Sequence, residues 1–209
     1  MDMELFLRAL TLGAGYNSAL VTLGAALLGI TAGAIGCFVL LRRRAMVSDA
    51  ISHATLPGVG IAFIIMALAG GDGRFLPGLL LGAAASAGIG LLTVEWIVRR
   101  TRLHEDAAIG AVLSVAFGLG IVLLTVIQTL GIGKPAGLEG FLLGGAAAML
   151  YAEALTVLVS GAVLALCIAF LWRRMLLVAF DAGYAETLGV PTHRTDRIMM
   201  FLALAVTVI

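Results

Sequence analysis

Apolar residues fill the chain in long uninterrupted runs, and polar residues collect in the short stretches between the runs. About 20 apolar residues cross the ~30 Å hydrocarbon core of a bilayer as a helix. Four runs carry no charge, and a fifth, residues 50–71, is interrupted only by His53. The pattern predicts five membrane-spanning helices, at residues 16–41, 47–69, 76–98, 107–130 and 151–172.

The expected fold is an all-α, polytopic transmembrane helix bundle in which residues 1–209 form a single domain. A sixth apolar segment begins near Ile198 and stops at Ile209, which is too short to cross a bilayer. We therefore expect the chain to be cut within its sixth span, with C-terminal spans missing. The short apolar run from Gly140 predicts a re-entrant or interfacial helix on the outer side.

Composition supports a membrane protein, since 62% of residues are hydrophobic and only 12% are charged. Soluble domains carry about 25% charged residues. The net charge of +1 gives no reason to expect nucleic-acid binding. Cys37 and Cys167 lie in apolar runs, where we expect small buried side chains rather than a disulfide framework. Three small-xxx-small pairs have a spacing that permits close helix crossings and support a packed bundle: Gly29 and Gly33, Gly78 and Gly82, and Gly140 and Gly144.

Basic residues predict the orientation of the spans. Ten of the thirteen Lys and Arg residues follow spans one, three and five or precede the sixth segment. They are Arg42, Arg43, Arg44, Arg99, Arg100, Arg102, Arg173, Arg174, Arg194 and Arg197. The positive-inside rule makes that side cytoplasmic and the N-terminus external.

Asp49 and His53 are the two ionisable residues that stand out, because they lie in or next to an apolar run. A spacing of four places both side chains on one helical face. The rise from Arg44 to His53 is roughly 13 Å, which brings His53 close to the bilayer midplane. An ionisable group at that depth indicates a functional site. Carboxylate and imidazole together suit divalent Zn²⁺, Mn²⁺ or Fe²⁺.

Pro57 and Gly58 follow this pair and predict a break in the helix, since proline cannot donate to the helical ladder. Broken backbone at membrane depth is tolerated only against protein or a water-filled cavity. Two interpretations stay open. The pair handles a cation, or it forms a buried hydrogen bond that holds a kink and no ion passes.

The remaining polar residues have simpler interpretations. Glu95 and Trp96 end span three beside Arg99, which predicts a Glu–Arg pair and interfacial anchoring. Residues 104–106 predict an acidic N-terminal turn for span four. Glu153 is expected to meet lipid headgroups, and His193 to be solvated.

Residues 180–191 contain a complete set of helix start and stop signals. Asp181 is suited to cap the start, Gly189 to take the left-handed position after the end, and Pro191 to prevent continuation. A helix this short is marginal alone and gains stability by docking on another protein. The alternative is a surface helix lying on its own bundle.

Three segments resemble the membrane permease subunits of bacterial ABC importers for zinc, manganese and iron. They are residues 43–59, with the run Asp-x-x-Ser-His-x-x-x-Pro-Gly, residues 102–110 and residues 179–191. The resemblance covers essentially the whole chain and implies a fold like that of type II ABC importers. Residues 137–144 are more similar to the manganese and iron branch than to the zinc branch.

The resemblance implies partners as well as a function. Two permease subunits, identical or mixed, would work in the bacterial inner membrane with two cytoplasmic ATP-binding subunits and an extracytoplasmic metal-binding protein. Asp49 and His53 map onto the ion pathway. The ATPase-docking loop maps onto the segment containing Asp181, Ala182, Tyr184, Glu186, Leu188 and Gly189. The resemblance also implies that the cargo is a divalent metal ion, and no permanently bound cofactor is expected.

Two other function classes remain as alternatives. The sequence contains no phosphate-binding Gly-x-x-x-x-Gly-Lys-Ser/Thr motif and no catalytic signature, so we expect no enzymatic activity in this chain. Energy must come from a partner or an ion gradient. A self-sufficient proton-coupled transporter could use Asp49 and His53 as a proton relay. A non-transporting structural subunit would need His53 only to stabilise a kink.

Overall fold

A computed structural model describes residues 16–71, 73, 75–130 and 150–209. The described chain is helical, with seven helices in this order: α1 Tyr16–Leu41, α2 Ala45–Leu68, α3 Leu76–Arg100, α4 Glu105–Leu130, α5 Tyr151–Phe180, α6 Ala182–Thr187 and α7 Thr192–Val208. Five of them, α1 to α5, are long and apolar enough to cross a membrane. The predicted all-α polytopic bundle is therefore confirmed. The predicted re-entrant segment from Gly140 and the residues 137–144 lie outside the described residues.

The predicted span boundaries agree with the first four long helices to within two residues, but α5 is much longer than predicted. We expected the fifth span to end at residue 172, before Arg173 and Arg174. The helix continues to Phe180 because those two arginines point outward while Met175 and Val178 are fully buried. Charge marked the edge of the apolar run, not the end of the helix.

The last helix, α7, is central to the packing. Helix α2 packs on α3 and α4, α1 packs on α5, and α7 contacts α1, α5, α2 and α3. Its buried face includes Met199 and Ala203, which belong to the larger of two apolar clusters. It begins at Thr192, earlier than the expected start near Ile198. Helix α7 therefore joins the two helix groups into one bundle.

Glycines allow α2 and α3 to cross at backbone contact. A Cβ atom at Gly58 would overlap the carbonyl oxygen of Gly82, and one at Gly82 would lie 2.5 Å from the Cβ of Ala62. Gly78 and Gly82 therefore lie where their small-xxx-small spacing permits a close crossing of α2 and α3. Nothing lies within 4 Å of a Cβ built at Gly29 or Gly33. These two glycines make no close crossing within the described chain.

Two expectations about α1, α2 and α5 were wrong. Helix α2 is not broken at Pro57: it runs unbroken from Ala45 to Leu68 with Pro57 buried inside it. Gly58, the residue after Pro57, allows the close approach of α2 to α3 and does not break the helix.

Cys37 and Cys167 are free and exposed, not buried as expected. They lie on outer faces of α1 and α5, where lipid makes an apolar residue as acceptable as a core does.

Candidate functional site

Asp49 and His53 lie on one exposed face of α2, as their spacing predicts. The Asp49 side chain is 62% exposed and the His53 side chain 36% exposed. Their nearest nitrogen and oxygen, His53 Nε2 and Asp49 Oδ1, are 3.6 Å apart, which is too long for a hydrogen bond. Within this chain the two side chains are therefore neither fully buried nor hydrogen-bonded to each other.

Helix α4 supplies the aromatic neighbour of the pair. The rings of His53 and Phe117 meet edge to face, with centroids 5.0 Å apart and planes at 83°. One turn further along, a Cβ at Gly120 would come within 2.6 Å of the Leu56 Cβ. The two helices therefore run side by side with their backbones close at this point.

Helix α3 contacts α2 from another side, next to His53. The Ser86 hydroxyl donates a 2.5 Å hydrogen bond to the carbonyl oxygen of Ala54. On α2 itself, the Ser52 hydroxyl donates to the Asp49 carbonyl at 2.8 Å, and that of Thr55 to the Ser52 carbonyl at 2.6 Å. The turn of helix that carries His53 is thus held by hydrogen bonds, although Pro57 removes one helical donor.

Two concave features of the described surface lie close to α2, and neither includes the pair. An apolar groove of about 670 Å³ lies between α2, α3 and α4 and is lined in part by Ala54, Pro57 and Ser86. A second cavity of about 400 Å³ is lined in part by Arg42, Arg99 and Arg197. Asp49 and His53 stand on the open face of α2 instead. A site formed by this pair needs another surface to complete it.

The predicted docking segment forms α6, with the predicted caps. The Asp181 carboxylate accepts a 2.8 Å hydrogen bond from the backbone N–H of Tyr184. Gly189 has φ +75°, and the N–H groups of Gly189 and Val190 donate to the carbonyls of Glu186 and Ala185. These two bonds form a Schellman motif, which needs the left-handed glycine.

The segment buries Ala185 completely and presents most of its other side chains outward. Tyr184 is 55% and Leu188 57% exposed, whereas Ala182 is half-buried. The carboxylate of Glu186 accepts a 2.6 Å hydrogen bond from the Thr192 hydroxyl at the start of α7. A docked protein on α6 would therefore touch apolar side chains, with α7 directly behind them.

Ion pairs bring four of the basic residues together at one end of the bundle, which we call the basic end: residues 42–47, 95–105 and 178–197. Arg42 binds Asp196 at 2.6 Å and also donates to the Val178 carbonyl, and Arg44 lies 3.2 Å from Glu105. Glu95 binds Arg99 at 2.7 Å, which confirms the predicted Glu–Arg pair, and it also binds Arg197 at 2.8 Å. These basic residues therefore lie at the same end of the bundle, as their positions in the sequence predict.

The smaller predictions for charged residues have mixed outcomes. Glu105 and Asp106 occupy the first turn of α4, as predicted. Glu153 accepts a hydrogen bond from the Leu150 N–H and so closes the first turn of α5. His193 is largely exposed, but it is not merely solvated, because its Nε2 contacts Arg99 and lies 3.8 Å from Glu95.

Sequence reasoning missed three groups of residues around these sites. It did not pair Arg42 with Asp196 or Arg197 with Glu95, although each is a charge next to an apolar run. It did not select Ser86, whose isolated hydroxyl within an apolar helix was a usable signal. It gave no reason to single out Phe117, since phenylalanine is an ordinary residue in a membrane helix.

Five membrane-crossing helices with an ionisable pair on one of them define a polytopic α-helical membrane protein. The model of the ABC 3 transport family matches residues 17–209. The chain therefore belongs to the ABC 3 transport family.

Two curated relatives show the extent of the match. The chain is 39% identical over 194 residues to the manganese transport system membrane protein MntC of Bacillus subtilis, covering 92% of this chain and 43% of that protein. It is 34% identical to the zinc transport system membrane protein TroC of Treponema pallidum, covering 93% of this chain and 62% of the relative. The chain thus spans about two fifths to three fifths of these relatives.

A solved structure has the same fold. The structure of PsaBC from Streptococcus pneumoniae in complex with Fab superimposes with a TM-score of 0.74 at 27% sequence identity, covering 99% of this chain and 69% of the solved one. Because 99% of this chain is covered, the superposition includes α7.

Proposed function

We propose that the chain is the membrane-spanning permease subunit of an ATP-driven importer of a divalent transition metal ion. The observation that carries the proposal is the exposed Asp49–His53 pair on an apolar, membrane-crossing helix. Membership of the ABC 3 transport family supports the same function. The transported ion is manganese, zinc or iron.

The exposure of Asp49 is the reason to expect a second permease subunit. A carboxylate exposed to lipid on a membrane-crossing helix carries an energetic cost, and such residues usually face the bundle interior or a water-filled cavity. That cost disappears if a second subunit or a water-filled seam covers the face. A twofold axis at this face would bring two Asp49–His53 pairs together and offer four ligands.

The ligand count within one chain agrees with a shared site. The part of the chain that the structure describes contains no group of three or more His, Cys, Asp or Glu side chains placed to hold a metal ion. A site with two ligands from each subunit should bind the cation weakly, because an ion that binds too tightly does not leave. Carboxylate and imidazole favour Mn²⁺, Fe²⁺ or Zn²⁺.

Energy would reach the spans through α6. Its exposed side chains form a small apolar surface at the basic end, and Glu186 joins it to the start of α7 through Thr192. A cytoplasmic ATP-binding subunit docked on Asp181, Ala182, Tyr184, Glu186, Leu188 and Gly189 would therefore move α7. Helix α7 in turn contacts α2, which carries the ionisable pair.

Sidedness follows from the distribution of basic residues. The basic end faces the cytoplasm of a bacterial cell, and the N-terminus lies outside the plasma membrane, in accordance with the positive-inside rule. An extracytoplasmic metal-binding protein delivers the ion at the opposite end. The bilayer surrounds α1 to α5.

Uptake measurements separate this function from the proton-coupled alternative. Cells lacking their own manganese importer are supplied with the complete transporter, and radioactive manganese uptake is measured. We expect uptake to be lost when the Walker lysine of the ATP-binding subunit is changed to alanine, and to survive brief collapse of the proton gradient while ATP is maintained. Uptake that is unaffected by the Walker lysine change but is lost when the proton gradient collapses would instead establish a proton-coupled secondary transporter.

Changing Leu188 to glutamate is expected to release the ATP-binding subunit. Leu188 is more than half exposed, so the change should leave the permease fold intact while it places a charge in the proposed apolar contact. We expect roughly a tenfold loss of co-purified ATPase, the size of effect that a central apolar contact typically has.

Leu103→Glu is the matched control for Leu188→Glu. Leu103 is 51% exposed in a different loop of the basic end and lies outside the proposed docking segment. Its variant should retain the ATPase. Equal retention by both variants would show that α6 is only a surface helix of its own bundle.

A further inference from the structure

The aromatic contact between Phe117 and His53 points to a further residue of the proposed ion site. Asp49, the other neighbour of the imidazole, is 3.6 Å away and is too distant to hold the ring by a hydrogen bond. The ring of Phe117 meets the imidazole edge to face at 5.0 Å. We propose that Phe117 is a positioning residue, which fixes the plane of His53 for binding the transported ion. This inference rests on the proposed function.

The backbone position of Phe117, whose side chain is 42% exposed, is set by close packing between α2 and α4. A Cβ at Gly120 would lie 2.6 Å from Leu56, and one at Gly60 would lie 3.1 Å from the Cβ of Leu123. The contacts advance along both helices in the same direction, so α2 and α4 lie parallel through this stretch. Close backbone packing on this side keeps Phe117 level with His53.

The physical effect of Phe117 is on the freedom of the imidazole. His53 is about one third exposed, and its ring can otherwise rotate about two side-chain bonds. An imidazole must aim a nitrogen lone pair at the metal, so a ring that is already aligned loses less freedom on binding. Phe117 would thus strengthen binding without touching the ion.

Replacing Phe117 by leucine or methionine should weaken ion binding without slowing the bound transporter. We expect KM for manganese uptake to rise about fivefold, within the range that edge-to-face aromatic pairs contribute, while the maximal rate stays within about twofold. Phe117→Tyr keeps the ring and should restore the original KM. Phe170→Leu is the matched control, because Phe170 is 87% exposed on α5 and far along the sequence from the pair.

A spectroscopic measurement separates failure of this inference from failure of the proposed function. Purified complete transporter is titrated with Co²⁺, and visible absorption reports the ligand geometry. Absorption that is the same in the original protein and in His53→Ala would overturn the proposed ion site and this inference with it. Absorption that needs His53 but is unchanged in Phe117→Leu and Phe117→Met, with unchanged KM, would overturn only the positioning role of Phe117.

The expected result is a weaker and altered Co²⁺ spectrum in both Phe117 variants, with recovery in Phe117→Tyr. Thermal unfolding of the same samples identifies any variant that is damaged as a whole. Because leucine and methionine differ in shape, the test still gives a result if one of the two Phe117 variants misfolds. If both unfold at the original temperature and bind Co²⁺ with the original affinity and spectrum, Phe117 is only a packing residue.

Discussion

Asp49→Ala and His53→Ala are each expected to reduce metal uptake at least about tenfold while leaving the protein in the membrane. Each change removes one of two ligands from both proposed subunits, so the shared site falls from four ligands to two. Neither Asp49 nor His53 is among the buried residues of α2, so the helix should keep its packed core without them. Radioactive manganese uptake, normalised to the amount of assembled transporter, measures the effect.

Asp106→Ala and His104→Ala provide the matched controls for the ion pathway. They remove the same two residue types from an exposed position at the start of α4 and the loop before it. We expect uptake within about twofold of the original, because the only loss is a small helix-dipole contribution at Asp106. Normal uptake by both the Asp49 and His53 variants would remove the pair from the pathway.

Gly58→Ala is expected to destabilise the bundle strongly, although it adds only one methyl group. The new Cβ would overlap the Gly82 carbonyl oxygen and lie 2.5 Å from the Cβ of Ser86. Both neighbours belong to α3, so relieving the overlap requires the whole helix to shift. Overpacking of this kind costs about 1–3 kcal/mol, and contact with backbone places this variant at or above the upper end.

Gly88→Ala, on α3, is the control for the glycine crossing. Nothing lies within 4 Å of a Cβ at Gly88, so the change should be neutral or slightly stabilising through higher helix propensity. Heating detergent-solubilised transporter and measuring the fraction that remains monodisperse compares the two variants. Equal melting temperatures for Gly58→Ala and Gly88→Ala would contradict the close crossing of α2 and α3.

Hydrophobic runs were sufficient to predict the long helices, because crossing a bilayer demands continuous apolar length and internal backbone hydrogen bonds. The same rule failed at the end of α5. Arg173 and Arg174 face outward, and the helix continues by burying Met175 and Val178 against its own bundle. Charge indicates where a helix leaves the membrane, but tertiary packing decides where the helix ends.

The candidate site was predictable in part for similar reasons. Spacing placed Asp49 and His53 on one face, and start and stop signals predicted α6 with its Asp181 and Gly189 caps. The predicted break at Pro57 was wrong, because α2 continues through Pro57 and Gly58 packs against Gly82 of α3. Phe117 could not be predicted, since its role depends on the parallel alignment of α2 and α4.

The position of the bound ion decides whether Asp49 and His53 form the pathway. Crystals of the complete transporter soaked in Mn²⁺ are measured at a wavelength where manganese scatters anomalously. We expect an anomalous peak between two subunits, within coordination distance of the Asp49 carboxylates and the His53 imidazoles. Peaks only at other positions, with Asp49 and His53 facing lipid, would show that the ion does not pass beside this pair.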